Sequence, residues 1–176
     1  MLCIGYTKSV PDEGSLAIDR PEPLTRLRFA KPPSPARGEG KQEFPMDARD
    51  VIKVGMSAER TLVVPLERTV GHFLPGMPMV YATPMMILEM EMASGDAIRG
   101  YLAAGWITVG TEVDIKHLAA SLIGATVRTT AKVIAVERRV IRFEVEAFEG
   151  ERKIGEGRHA RGLVNVASFN KRLGAT

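Results

Sequence analysis

The chain has 176 residues, 45% of them hydrophobic, and a formal net charge of +3, which suits one packed domain and leaves little room for two. Acidic and basic residues are interleaved throughout, a solvated surface that argues against a nucleic-acid partner. No run approaches the roughly 20 apolar residues of a membrane span, the N-terminus lacks a signal's apolar core, and the single cysteine, Cys3, supports neither a disulfide framework nor a cysteine-ligated metal. A cytoplasmic protein is expected, with no metal and no membrane contact.

Residues 1–45 hold seven of the eleven prolines, mixed charge and no apolar period, a composition that resists packing. They read as a disordered or spurious extension, with the natural start expected at Met46 and a domain over 46–176. Arg60–Val64 is a short β-branched run ended by Pro65, and it predicts a strand. After a loop holding Pro75, Gly76 and Pro78, Thr83-Pro84 predicts a helix start, with Thr83 as N-cap. The helix is expected to run through Gly95 to about Ala103, with Gly105 as its stop. Four extended runs follow: Trp106–His117, Thr126–Val136, Val140–Phe148 and Lys153–Val166. In the second run Val127, Thr129, Ala131, Val133 and Ala135 share a face. In the third, Ile141, Phe143, Val145 and Ala147 alternate with charged residues. Short connections predict an antiparallel meander, closed by a terminal helical turn over Ser168–Leu173. One helix can bury its apolar stripe only against a sheet that curls around it. The expected class is therefore α+β with a hot-dog architecture.

Two polar residues sit where the pattern calls for apolar ones. On a helical projection Glu91 falls inside the apolar arc, flanked by Ile87 and Ile98, whereas Glu89 falls opposite, near Asp96. His117 closes the row Ile107, Val109, Val113, Ile115, provided no bulge at Gly110 shifts the register. A carboxylate and an imidazole on separate elements, both directed into the helix–sheet layer, form a candidate reacting pair. His72 and His159 are weaker candidates, the first in a loop and the second in a glycine-bracketed strand of ambiguous parity. The methionines Met85, Met86, Met90 and Met92 read as adaptable core packing.

The spacing Thr83-x7-Glu91-x25-His117, with Gly110-Thr111, the run Gly155-Glu-Gly157-Arg-His159-Ala-Arg161 and Ser168-Phe169-Asn170, resembles the fluoroacetyl-coenzyme A thioesterase family over roughly residues 54 to 173. The resemblance implies hydrolysis of an acyl-CoA thioester, with coenzyme A entering as part of the substrate and no further cofactor. Glu91 would act as nucleophile or general base, His117 as the acid–base partner, and Thr83 would orient and polarise. It also implies substrate-binding roles for Gly110, through its backbone N–H on the thioester carbonyl, and for Arg161. A homodimer or higher oligomer is implied too, with two sheets joined edge to edge and the thioester at the subunit interface. The stretch between Val70 and Thr83 is shorter than that family's aromatic lid, so fluoroacetyl specificity is not expected. Two other readings on this fold are an enoyl-CoA hydratase, which would pair an Asp with a His on the helix, and a non-catalytic acyl-CoA binder in which Glu91 and His117 are a structural pair.

Overall fold

The computed structural model describes residues 46–174, and the expectations about residues 1–45, including a natural start at Met46, lie outside the described residues. A helical turn, α1 (Ala48–Val51), is capped by the Asp47 carboxylate, which accepts from the Arg49 backbone N–H. Strand β1 (Ser57–Val63) leads through a 3-10 turn (Leu66–Arg68) and a short helix α2 (Val70–Phe73) to the long helix α3 (Thr83–Arg99). Strands β2 (Trp106–His117), β3 (Thr126–Val136), β4 (Val140–Glu149) and β5 (Arg152–Asn165) follow, and helix α4 (Val166–Leu173) ends the described chain. The strands form one antiparallel sheet in the order β1-β3-β4-β5-β2. The expected long helix and meander are thus present, with α1, the 3-10 turn and α2 added. Both added helices are only four residues long, too short to show a helical period.

Helix α3 contacts all five strands. Its inner face, Met86, Met90, Ala93, Ala97 and Ile98, packs against the inward rows of β3 (Val127, Ala131, Val133) and β4 (Ile141, Phe143, Val145, Ala147). Burial of such apolar side chains at roughly 1.5–3 kcal/mol each is what holds the sheet curled on the helix. Small residues on α3 let the backbone come close, and Gly95 continues the helix with its bare face 3.8 Å from the Arg161 guanidinium at the position a Cβ would take. The helix ends at Gly100 rather than Ala103. Gly105, at φ 79°, then turns the chain into β2.

The register of β2 departs from simple alternation. Gly110 pairs with Arg161 and Glu112 with Ala160 of β5, leaving Thr111 as the extra residue of a bulge. Strict alternation would set positions 110 and 117 on opposite faces. The bulge puts Trp106, Thr108 and Gly110 on the same face as Ile115 and His117, and turns Ile107, 42% exposed, away from the core. The expected single row of Ile107, Val109, Val113, Ile115 and His117 is corrected accordingly.

Candidate active site

The N-terminus of α3 and the end of β2 bring the first two candidate residues together. The Thr83 hydroxyl lies 2.8 Å from His117 Nδ1. Thr83 is not the N-cap: that position is Ala82, and no side chain caps it. The hydroxyl is committed to the imidazole in place of a backbone N–H, which fixes the ring's plane and leaves Nε2 as its only other polar atom. Nε2 is buried and has no hydrogen-bond partner among the described residues. Gly155, opposite His117 in β5, has no side chain to keep Met86 away, and the Met86 sulfur sits 2.6 Å from where its Cβ would be.

The middle of α3 carries a second cluster. Glu91, its side chain 38% exposed, meets the Arg161 guanidinium of β5 at 3.3 Å. The same Nη1 donates to the Glu91 backbone carbonyl at 3.0 Å, while Nε and Nη2 donate to the hydroxyl and carbonyl of Thr108 at 2.9 and 2.8 Å. Arg161 is 8% exposed, so every donor group of its fork is turned inward. Arg161, for which the resemblance implies a substrate-binding role, forms a clamp that ties β5 to β2 and holds Glu91 at both ends of the residue. Burial pushes the Arg161 guanidinium below its ordinary range, and the Glu91 carboxylate opposes this.

His159, buried beside the clamp, has Nδ1 2.9 Å from the Glu112 backbone carbonyl, an acceptor only, so Nδ1 carries the proton. Nε2 then presents its lone pair to Arg161 Nη1 at 3.4 Å. Burial lowers its pKa, the Glu112 hydrogen bond opposes that, and nearby Arg161 lowers it further. Gly110 closes the cluster: a Cβ there would lie 2.7 Å from Glu91 Oε1 and 3.1 Å from His159 Cε1. Only glycine lets the carboxylate rest against β2 at this point.

The two helix glutamates exchange the places read from the projection. Glu89 is the buried one, at 2% exposure, held by Arg60 Nε at 2.9 Å and by Arg68. The inner face of α3 is centred on Met86, Met90, Ala93 and Ala97, which puts Glu89 nearer the core than Glu91. Two arginines from outside the helix make that burial tolerable. Burial alone would raise the Glu89 carboxyl, but the two guanidiniums outweigh it and hold it below the usual range.

Within one chain, then, Thr83 joins His117, and Glu91 joins Arg161, Gly110 and His159. Glu91 lies eight residues beyond Thr83, about 12 Å along a helix rising 1.5 Å per residue. A cleft of about 480 Å³ lined by Met46, Asp50, Tyr101 and Trp106 contains none of these residues.

The sequence profile of the fluoroacetyl-CoA-specific thioesterases matches residues 64–167, a span that includes every residue of both clusters. The chain belongs to this thioesterase family. The fluoroacetyl-CoA thioesterase of Streptantibioticus cattleyicolor is 34% identical over 131 residues, covering 71% of this chain and 94% of that one. A solved structure of fluoroacetyl-CoA thioesterase superposes with a TM-score of 0.66 at 34% identity, over 70% of this chain and 96% of that one. A Thermus thermophilus member of the thioesterase superfamily is 32% identical with a TM-score of 0.66, over 70% and 91%. A hot-dog-like protein from Thermanaerovibrio acidaminovorans, 21% identical with a TM-score of 0.68 over 73% and 96%, shares the fold alone. The chain is thus a hot-dog thioester hydrolase.

Sequence reasoning underweighted one residue of this thioesterase's second cluster. His159 had ambiguous parity because glycines flank it at 155, 157 and 162. The usable signal was its pairing distance from Arg161, two residues on, which sets both side chains on one face of β5.

Proposed function

We propose that the protein hydrolyses acyl-CoA thioesters at a site completed between two copies of the chain, joined along β2. One observation carries this reading. The half-exposed Glu91 carboxylate and the unpartnered His117 Nε2 both belong to the helix–sheet layer, yet Thr83, the partner of His117, lies about 12 Å from Glu91 along α3. Among the described residues strand β2 is the sheet edge and pairs only with β5, and its central residues Glu112, Val113 and Asp114 are exposed. Unpaired edges of this length call for a partner. A two-fold axis near Val113 and Asp114, midway between Gly110 and His117, sets Gly110 and Glu91 of one copy opposite Thr83 and His117 of the other.

At such a site the Glu91 carboxylate either attacks the thioester carbonyl carbon, forming a mixed anhydride, or takes a proton from a water that attacks. Collapse of the tetrahedral adduct breaks the C–S bond and the thiolate takes its proton from His117; on the anhydride route water then attacks the anhydride, releasing the acid and freeing Glu91. Thr83 orients the imidazole, and the Gly110 backbone N–H faces the oxygen that gains charge. Arg161 and His159 hold Glu91 without touching substrate. Coenzyme A enters as part of the substrate, and these steps need no other cofactor.

We read the acyl preference as other than fluoroacetyl. The segment from Val70 to Thr83 is short and carries Phe73, Leu74, Met77 and Met79 as exposed apolar side chains, with one phenyl ring among them. Among the described residues no helix is long and apolar enough to cross a membrane, and a cytoplasmic location is proposed with the substrate. The test is free-thiol release across acetyl-, fluoroacetyl-, isobutyryl-, hexanoyl- and benzoyl-CoA. At least one non-fluorinated substrate is expected to match or exceed fluoroacetyl-CoA in kcat/KM. No thiol release from any of them would overturn the enzymatic reading.

A further inference from the structure

Glu89 is a buried charge that the proposed chemistry does not use. Its two arginines come from different places and lead to different places. Arg60, on β1, binds one carboxylate oxygen at 2.9 Å and continues to Asp96 at 2.7 Å, which Arg99 also meets at 2.8 Å. That branch stays on the flank of α3. Arg68, on the 3-10 turn, binds the other oxygen, and its own backbone carbonyl accepts the N–H of Ala82 at 2.9 Å. Ala82 immediately precedes Thr83. The neighbouring pair Thr69 and Tyr81 forms an antiparallel bridge, both buried, and the Val70 N–H reaches the Val80 carbonyl at 2.8 Å.

This branch does the work that a cap would otherwise do. Helix α3 has no side chain capping its N-terminus, and the hydroxyl best placed for that role is spent on His117. The helix start is held by the Arg68 carbonyl on Ala82, beside the Tyr81 N–H on the Ser121 carbonyl at 2.8 Å, and the Arg68 guanidinium is held by Glu89, two turns further along the same helix. We propose that Glu89, acting through Arg68, is a positioning residue for Thr83, holding its hydroxyl in register with His117 Nδ1. The role rests on the reading of Thr83 and His117 as site residues. A carboxylate buried between two arginines is locked in place, since removing either partner leaves charge uncompensated. Through it the middle of α3 governs the geometry at its own first turn.

The two branches supply the control. Arg68→Ala and Arg60→Ala each leave Glu89 with one arginine, but only the first cuts the link to Thr83. In the full chain, with thiol release from acetyl-CoA as readout, Arg68→Ala is expected to lower kcat about tenfold with KM changed less than about twofold. Arg60→Ala is expected to keep kcat within about twofold of wild type at comparable loss of thermal stability. In a Thr83→Ala background, Arg68→Ala should add no further loss. Equal effects of the two arginine variants on kcat, or multiplicative effects of Arg68→Ala and Thr83→Ala, would overturn the assignment. If Arg68→Ala does not fold, Arg68→Lys keeps the charge, loses the fork, and is expected to show the same contrast.

A second readout does not depend on turnover. The ring signals of His117 in NMR spectra of histidine-labelled protein, assigned with His117→Gln, are expected to move in Arg68→Ala toward their positions in Thr83→Ala. Unmoved signals overturn the assignment even in an active enzyme. Moved signals in a protein that releases no thiol keep the positioning role while the thioesterase reading fails.

Discussion

Glu89 and Glu91 stand two residues apart on one helix and have opposite fates. Glu89 is 2% exposed and spends both oxygens on arginines, whereas the Glu91 side chain is 38% exposed and leaves its carboxylate against a bare glycine. A buried carboxylate with full compensation is fixed and chemically quiet. A half-exposed one, held at its backbone and on one oxygen, remains able to meet a substrate. Burial alone therefore does not mark the reacting group. What distinguishes Glu91, the proposed reacting group, is a short leash combined with an open face, and Arg161 supplies the first and Gly110 the second.

Substitutions at the two glutamates put that contrast at risk most strongly. Glu91→Gln is expected to lower kcat by about 10³-fold with little change in thermal midpoint, and His117→Ala to do the same, since each removes a group that handles a proton. Glu89→Gln should reverse the pattern, costing about 3 kcal/mol of stability by leaving two half-buried guanidiniums undercompensated, and far less turnover. Denaturant titrations beside steady-state rates check both. If Glu89→Gln were the more damaging to kcat, the roles assigned to the pair would be exchanged.

Gly110→Ala sharpens the comparison by closing the open face. Its methyl would meet Glu91 Oε1 at 2.7 Å, so the carboxylate must shift, and about a 100-fold loss of kcat is expected with a fold that survives. Arg161→Lys loosens the leash instead. A single ammonium cannot reach Thr108, the Glu91 carbonyl and the Glu91 carboxylate together, and about a tenfold loss of kcat is expected.

The smallest effect is on stability in weak acid. Burial lowers the His159 pKa, so the unfolded chain takes a proton that the folded one resists. Stability is fully present above the ordinary imidazole value of about 6.5 and falls as pH drops below it. Glu89, also held low, adds a further loss only as pH falls below the ordinary carboxylate range. His159→Gln should flatten the thermal midpoint between pH 7 and pH 5. A slope as steep as that of wild type would place its origin elsewhere.

Much of this was legible in the sequence, and the misreadings have physical causes. Strands β3 and β4 alternate because one face is buried and the other wet, so their inward rows could be read directly. The long helix was readable from Thr83-Pro84 and the absence of breakers. The glutamates were misplaced because helical projection weighs apolar neighbours and cannot see arginines arriving from β1 and the 3-10 turn. The row on β2 was misread because Gly110 marks a possible bulge without deciding it, and the extra residue at Thr111 shows only in the pairing with β5. Thr83 had the right residue type for a cap, and only the fold shows that β2 ends beside it with an imidazole. The candidates Glu91 and His117 stood out by their places in apolar rows, and Thr83 joined them through its spacing.

The central claim is that Glu91 of one copy works with His117 of another across β2. Mixing Glu91→Gln and His117→Ala chains, unfolding and refolding them together, and measuring thiol release tests it directly. In random hybrids half of the dimers pair an intact Glu91 with an intact His117 at one of two sites, so about a quarter of wild-type activity should return from two nearly dead proteins. If each site lies within one chain, every site in the mixture carries a lesion. Activity no higher than that of the separate variants would contradict the account.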